Sequence, residues 1–178
     1  MAKPPRSSLF RALSVVISMP DVPLGGTSKA TGLLVFGVGT AANNQLGSAQ
    51  QYPASATGNF STVYKGRTLS GFIDSGSNGI FVPDSTIPSC AGGGFYCPPS
   101  PLTLSATLTA ANGATKEIPF QVESVATLPR STAAAHLAGD LGLTSSFDWG
   151  LPFFFGRRVF VAIQGASTPW GMGPYWAF

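Results

Sequence analysis

One carboxylate in the chain stands between two apolar segments. The segment Leu69–Val82 places Asp74 after one strand-like run and before another, with a Gly- and Ser-rich turn between them. Burying a carboxylate there is costly unless hydrogen bonds satisfy it. Gly76 frees the backbone to turn N–H groups towards Asp74, and Ser75 and Ser77 place hydroxyl groups beside it. The pattern indicates a carboxylate held for acid–base chemistry, although an ordinary Asp-Ser-Gly β-turn has the same sequence.

The two cysteines leave two states open. Cys90 and Cys97 flank a Gly-rich loop that lets the chain turn back. In an exported protein they could form a local disulfide, and in a reducing compartment they would stay free thiols. No Cys-x-x-Cys pair accompanies them, so we expect no metal site.

Other catalytic motifs are weak. His136 is the one histidine, and no Gly-x-Ser-x-Gly nucleophile motif accompanies it. A Gly-rich phosphate loop ending in Lys-Ser/Thr does not occur either, and we expect no cofactor.

Composition excludes several classes of protein. Charged residues are 10% of the 178 residues, against about 25% in ordinary soluble domains. The 22 glycines and 15 prolines disfavour a helical bundle, because both residues destabilise helix interiors. The net charge of +3 is scattered rather than clustered, so we expect no nucleic-acid binding. No apolar run is long enough for a membrane span.

Short apolar segments between turn residues predict a mainly β fold. Leu102–Ala110 alternates Leu and Thr, Asn112-Gly113 is a hairpin signal, and Lys116–Val122 is the returning strand. Ser131–Leu141 is Ala-rich at its start and is followed by glycine, which predicts a helix. The other predicted strands are Leu33–Val38, Phe60–Tyr64, Leu69–Ile73, Ile80–Val82, Val159–Ile163 and Tyr175–Phe178.

The N-terminus has two interpretations. Lys3, Arg6 and Arg11 precede a short apolar run, as in a weak signal peptide. No small-x-small cleavage site follows cleanly, and we favour Val15–Ile17 as the first strand.

The run Ile73–Ser77, flanked by apolar strands, resembles the active-site loop of pepsin-like aspartic proteases, which reads apolar-Asp-Thr/Ser-Gly-Ser/Thr. Gly32–Gly37 is similar to the strand that opens the C-terminal lobe of those enzymes, and Gly173–Phe178 is similar to its closing strand. The resemblance implies that residues 15–178 form a single C-terminal-type lobe. This lobe would be a pepsin- or retropepsin-like β fold with one or two short helices, and residues 1–14 match nothing in it.

A second resemblance is to a bacterial family of unknown function. Asp74–Asn78 (Asp-Ser-Gly-Ser-Asn) and Trp149–Phe154 (Trp-Gly-Leu-Pro-Phe-Phe) carry it. Members of that family are exported, often as lipoproteins, which implies a cell-envelope or secreted location. Longer members have a second Asp-Thr-Gly motif in a half that this chain lacks.

The protease resemblance implies a role for each loop residue. Asp74 would be the catalytic carboxylate, and the Ser75 hydroxyl would reach across to a partner lobe. The Gly76 N–H would bind the inner carboxylate oxygen of Asp74, and the Ser77 hydroxyl would bind the outer one.

Gly150, preceded by Trp149, would lie in the supporting loop packed behind the aspartate. The protease pattern has two apolar residues before this glycine. This chain departs from it, because Asp148 occupies the first of those two positions.

Peptide hydrolysis in such enzymes needs two carboxyls that share a proton. A single lobe contributes Asp74 only, so we expect the chain alone to be inactive. Three functions remain open. The chain could be half of a two-lobe peptidase that lacks its N-terminal lobe, or a retropepsin-like homodimer of two copies acting on peptides. It could also be a non-catalytic binding or structural module of the cell envelope.

Overall fold

The computed structural model describes residues 14–178. The signal-peptide interpretation, with Lys3, Arg6 and Arg11, and all of the unmatched segment 1–14 except Ser14 lie outside the described residues.

Strands dominate the described part of the chain. They are β1 (Ser14–Ser18), β2 (Leu33–Phe36), β3 (Gln51–Pro53), β4 (Phe60–Tyr64), β5 (Arg67–Ile73), β6 (Ile80–Phe81), β7 (Gly94–Phe95), β8 (Leu102–Thr109), β9 (Thr115–Val122), β10 (Ala138–Asp140), β11 (Ser146–Trp149), β12 (Arg158–Ala162), β13 (Ser167–Thr168), β14 (Gly171–Met172) and β15 (Tyr175–Ala177). The expectation of a mainly β protein is confirmed.

Most of these strands form two sheets. A five-stranded sheet has the order β2-β1-β12-β15-β3, and an eight-stranded sheet has the order β7-β10-β6-β11-β5-β4-β8-β9. The prediction that Val15–Ile17 forms a strand is confirmed, since β1, which begins the described part of the chain, pairs with both β2 and β12. The predicted hairpin at Asn112-Gly113 is also confirmed, because β8 and β9 pair antiparallel along their whole length.

The position of β11 determines how the Asp74 segment is held. β11 lies between β5 and β6, parallel to β5 and antiparallel to β6. The chain leaves β5, turns through residues 74–79, and returns along β6 on the other side of β11. The turn that contains Asp74 therefore crosses the C-terminal end of β11.

The helix predicted over Ser131–Leu141 is wrong. The N–H groups of Ala133 and Ala134 donate to the carbonyl of Thr27 at 2.7 and 3.1 Å, and the end of the segment forms β10, which pairs with β6 and β7. Alanine favours a helix only weakly, and these long-range backbone bonds override that preference.

The expected one or two short helices are three 3₁₀-helices, Ala42–Asn44, Val125–Thr127 and Leu151–Phe154, with no α-helix within residues 14–178. None of the helices in this range is long and apolar enough to span a membrane.

An aromatic cluster forms the centre of the main core. Trp149 lies 4.3 Å from Phe147, 5.7 Å from Phe153 and 5.8 Å from Phe120, measured between ring centroids. Its indole N–H donates to Thr62 Oγ1 at 3.0 Å, so the one polar atom of this buried side chain is satisfied. These contacts anchor β11 in the core.

Apolar side chains are exposed on β2, the edge strand of the five-stranded sheet. Leu33, Leu34 and Phe36 are 67%, 58% and 71% exposed. Successive residues of a strand point to opposite faces, so both faces of β2 present apolar surface to solvent.

The core and β2 provide a matched pair of leucines for a stability test. Leu108→Ala removes a fully buried side chain and is expected to lower the free energy of unfolding by about 2–5 kcal/mol. Leu33→Ala, on exposed β2, is expected to change it by less than about 0.5 kcal/mol. Urea unfolding of both variants measures this, and equal losses would contradict the assignment of the core.

Candidate active site

The Asp74 carboxylate is held by donors from its own turn. The Gly76 N–H donates to Asp74 Oδ1 at 2.7 Å, and the Ser77 hydroxyl donates to Asp74 Oδ2 at 2.9 Å. Hydrogen bonds to a charged acceptor are stronger than those between neutral groups. Both carboxylate oxygens are therefore fixed in direction while the side chain stays only partly buried.

The turn is fastened to the end of β11 by two backbone hydrogen bonds. The Asp74 N–H donates to the Trp149 carbonyl at 3.0 Å, and the Leu151 N–H donates to the Ser77 carbonyl at 2.7 Å. These bonds hold the turn on both sides of Gly150.

Only glycine fits between those two bonds. A Cβ atom on Gly150 would lie 1.9 Å from the Gly79 carbonyl oxygen and 2.8 Å from the Ser77 carbonyl oxygen. Real Cβ atoms do not approach oxygen so closely. The φ of Gly150 is −69°, so lack of space, and not backbone conformation, requires the glycine.

Of the six residues predicted for the site, the structure places five in direct contact. Asp74, Gly76 and Ser77 form the turn, and Trp149 and Gly150 support it. The remaining one, Ser75, lies at the exposed tip of the turn. The carboxylate thus lies beside a solvent-facing loop, where a partner molecule or a substrate can reach it.

Asp148 is a functional candidate that sequence reasoning missed. It is only 4% exposed and lies in β11 between two phenylalanines, Phe72 of β5 and Phe81 of β6. Its Oδ1 atom is buried with no hydrogen-bond partner among the described residues. The signal was present in the sequence as a charged residue at a position where the protease pattern has an apolar one.

The environment of Asp148 favours the neutral form of its carboxyl. Burial raises the pKa of Asp148 from its ordinary 3.8 to about 6, and the nearby charge of Asp74 adds to the increase. The Ser77 hydroxyl, as a possible donor to the ionised carboxyl of Asp148, opposes both effects on this pKa. The carboxyl of Asp148 therefore has a pKa of about 6, in the neighbourhood of the partly buried Asp74 carboxylate.

Cys90 and Cys97 form a disulfide in the structure. Within the loop that it closes, the Cys90 N–H donates to the Phe95 carbonyl at 2.9 Å. The bond braces the segment around β7 and contributes no atom to the Asp74 site. No group of three or more metal-ligating side chains occurs among residues 14–178.

Asp84 is a second buried carboxylate, and its partners indicate a structural role. It accepts hydrogen bonds from Tyr64 at 2.6 Å and from the Thr86 hydroxyl, and Lys65 Nζ lies 2.7 Å from its Oδ2. Burial by itself would raise the pKa of Asp84, but the bonds from Lys65, Thr86 and Tyr64 together hold this pKa below its ordinary value. A carboxylate with so many donors holds a loop and has no lone pair free for chemistry.

His136 also has structural partners. Its Nε2 lies 2.7 Å from the Val22 carbonyl, and its backbone N–H donates to Glu123 at 3.1 Å. The ring packs edge-on against Phe155.

Comparison with known proteins assigns a family and no activity. A family model described as "Protein of unknown function (DUF3443)" matches residues 13–178. No curated protein matches the chain.

The close approach at Gly150 yields a stability prediction. Gly150→Ala places a methyl group against two carbonyl oxygens of the Asp74 turn and is expected to cost roughly 3 kcal/mol of unfolding free energy. The control is Gly165→Ala, where φ is +78° but no atom lies within 4 Å, and backbone strain alone costs about 1–2 kcal/mol. Urea unfolding compares the two, and a smaller loss at Gly150 would show that the turn can move away.

Burial of Asp148 predicts a stability that falls as pH rises. The folded protein keeps this proton up to about pH 6, whereas the unfolded chain releases it near 3.8. Between these values the folded state binds more protons, so stability declines with pH, by about 3 kcal/mol in all.

Asp148→Asn removes this contribution. The difference in unfolding free energy between pH 4 and pH 7 is expected to shrink in that variant. Asp140→Asn is the control and should retain the wild-type difference. Thermal or urea unfolding at both pH values provides the measurement, and an unchanged difference in Asp148→Asn would contradict the burial argument.

Proposed function

The chain belongs to the family of proteins of unknown function DUF3443, and we propose that it is one lobe of a pepsin-like aspartic peptidase-fold protein. It is the C-terminal type of lobe, Asp74 supplies one of two catalytic carboxylates, and the chain is inactive alone. One observation carries this proposal. Both oxygens of Asp74 are fixed by donors of its own turn, while the tip of that turn is exposed.

The chemistry that fits this geometry is hydrolysis of a peptide bond. An oriented carboxylate can take a proton from water as that water attacks a carbonyl carbon. A second carboxyl, in its protonated form, polarises the carbonyl oxygen. Two carboxyls in one site cannot both ionise easily, so the pair shares one proton. The proposed reaction requires no cofactor and no metal ion.

Each site residue has a part in this proposal. Gly76 and Ser77 orient the Asp74 carboxylate. Trp149 and Gly150 fix the position of the turn against the end of β11. The hydroxyl of Ser75 lies at the exposed tip, where it can donate to the corresponding loop of a second lobe.

The exposed strand β2 supports the proposal that this chain pairs with a partner lobe. It pairs with β1 on one side only within the described residues, and Leu33, Leu34 and Phe36 face solvent. An edge strand with free N–H and C=O groups can accept a further strand, and apolar side chains favour its burial. A second copy of the chain could dock there in the same way, which is the homodimeric alternative.

The Cys90–Cys97 disulfide supports an exported protein. Disulfides persist in oxidising compartments such as the bacterial periplasm and the cell exterior. A cell-envelope or secreted peptidase is consistent with this chemistry.

The test of the function is peptide cleavage by the two-lobe protein. The gene upstream of Met1, read in the same frame, is the first place to look for the second lobe. We expect the two-lobe protein to cleave quenched fluorescent peptides between about pH 3 and 6. Asp74→Asn should lower kcat by roughly 10²–10⁴-fold, because it removes the base without changing the shape of the side chain.

Asp140→Asn is the matched control and should cleave at the wild-type rate. Turnover that survives in Asp74→Asn would overturn the proposal. Light scattering of the chain alone separates the two partner alternatives. A concentration-dependent dimer that cleaves peptides would show that the partner is a second copy of the chain and not a separate N-terminal lobe.

A further inference from the structure

We propose that Asp148 is a second carboxyl group of the Asp74 site and that the two carboxyls compete for the single hydroxyl proton of Ser77. The pair then acts as a pH-dependent switch within one chain. Only its consequence for catalysis rests on the proposed function, and the switch itself does not.

The strand register places Asp148 behind the Asp74 turn. Asp148 is paired with Phe72, and paired residues of neighbouring strands point to the same face. Asp74 comes two residues after Phe72, so it continues on that face. Backbone bonds from Asp74 to Trp149 at 3.0 Å and from Leu151 to Ser77 at 2.7 Å hold the turn against this end of β11.

The carboxyl of Asp148 has an unsatisfied hydrogen-bonding atom. Its Oδ1 is buried without a partner in the described part of the chain, and its neighbours Phe72 and Phe81 offer none. Leaving such an atom unpaired costs free energy unless the carboxyl is neutral or gains a donor. The one donor group that favours the ionised form of this carboxyl is the Ser77 hydroxyl, which lowers the pKa of Asp148.

That hydroxyl has one proton and two carboxyls beside it. A serine hydroxyl can donate one hydrogen bond and accept two. In the structure it donates to Asp74 Oδ2 at 2.9 Å. When Asp148 is protonated, its O–H can donate to the serine oxygen, which leaves the hydroxyl proton on Asp74.

When Asp148 is ionised, it attracts the same hydroxyl proton and weakens the bond to Asp74. The step is a proton release from Asp148 to water followed by rotation of the Ser77 hydroxyl, with no other bond made or broken. The site carries one negative charge before the step and two after it.

Few charged groups face Asp148. From β5 and its turn, Asp74 lies on this face. Arg67 starts β5 on the opposite face, and its guanidinium donates to the Thr144 carbonyl at 3.1 Å. Neither β6 nor the 3₁₀-helix Leu151–Phe154 contributes a titratable side chain. Asp74 is thus the charge that couples to Asp148, in agreement with its effect on the pKa of Asp148.

This arrangement makes Asp148 a positioning residue. Its buried carboxyl acts on Asp74 through Ser77 and does not itself contact a substrate. Below about pH 6 it keeps the Ser77 hydroxyl on Asp74, and above that pH it competes for the hydroxyl. An acid range of activity would then be built into this single lobe.

The test is a carboxyl ¹³C NMR titration of the chain alone. In the wild type we expect one aspartate with a midpoint near pH 6, and Asp148→Asn assigns it by removing the signal. Asp74→Asn should lower that midpoint by about 0.5–1 pH unit, because a like charge is lost. Ser77→Ala should raise it by a similar amount, because the ionised form loses its donor.

Shifts of opposite sign separate the switch from a general loss of structure, which would move both midpoints in one direction. Ser77→Thr keeps the hydroxyl and should restore the wild-type midpoint, and Asp140→Asn should leave it unchanged. A midpoint that moves in neither Asp74→Asn nor Ser77→Ala would overturn the proposal.

The activity of the two-lobe protein distinguishes the two proposals. Asp148→Asn should move the alkaline limb of the pH–kcat profile to higher pH, since an amide cannot ionise and compete for Ser77. Titration shifts in a protein without peptidase activity would overturn the proposed function and leave the switch standing. Peptide cleavage together with an unchanged Asp148 midpoint in Asp74→Asn and Ser77→Ala would overturn the switch and leave the proposed function standing.

Discussion

The contact between Gly150 and the backbone of the Asp74 turn is the constraint on which the site depends. β11 enters between β5 and β6, and the turn that joins those two strands has to cross its end. The crossing leaves no room for a side chain, since a Cβ there would lie 1.9 Å from a carbonyl oxygen. Two backbone hydrogen bonds close the contact on either side. Any movement of β11 would therefore move Asp74.

The core behind this contact explains why β11 does not move. Trp149 is buried among aromatic rings, and its indole N–H is satisfied by Thr62. Buried aromatic side chains contribute strongly to the stability of a core. The apolar face of β11 thus supplies rigidity, while its other face carries Asp148 towards the turn. One short strand both supports the site and places an ionisable group within it.

The buried carboxyl groups of Asp84 and Asp148 have different environments and different consequences. Asp84 is surrounded by donors and is saturated, whereas Asp148 has an oxygen without a partner. The first arrangement stabilises a charged carboxylate, and the second favours a neutral one. On the outside, the apolar strand β2 has two exposed faces, which is unusual for a monomeric protein and favours burial against another strand.

Local sequence determined several strands, one hairpin and the hydrogen bonds within the Asp74 turn. Short apolar segments between turn residues predict β4 and β5, and the alternation of Leu and Thr predicts β8, because the two-residue period is a property of the strand itself. The hairpin at Asn112-Gly113 and the bonds that Gly76 and Ser77 donate to Asp74 join residues only a few positions apart, so a reading of the sequence can find them.

Tertiary structure alone decided the conformation of the Ala-rich segment and the environment of Asp148. The Ala-rich segment Ser131–Leu141 is not a helix, because its N–H groups find a partner in Thr27, far away in the sequence. Asp148 is an ordinary acidic residue in the sequence, and it acquires its chemistry only when β11 is inserted between Phe72 and Phe81. Burial, and the electrostatic coupling of charges far apart in the sequence, depend on how the strands pack. Packing joins residues that are distant along the chain, so no short segment of the sequence determines it.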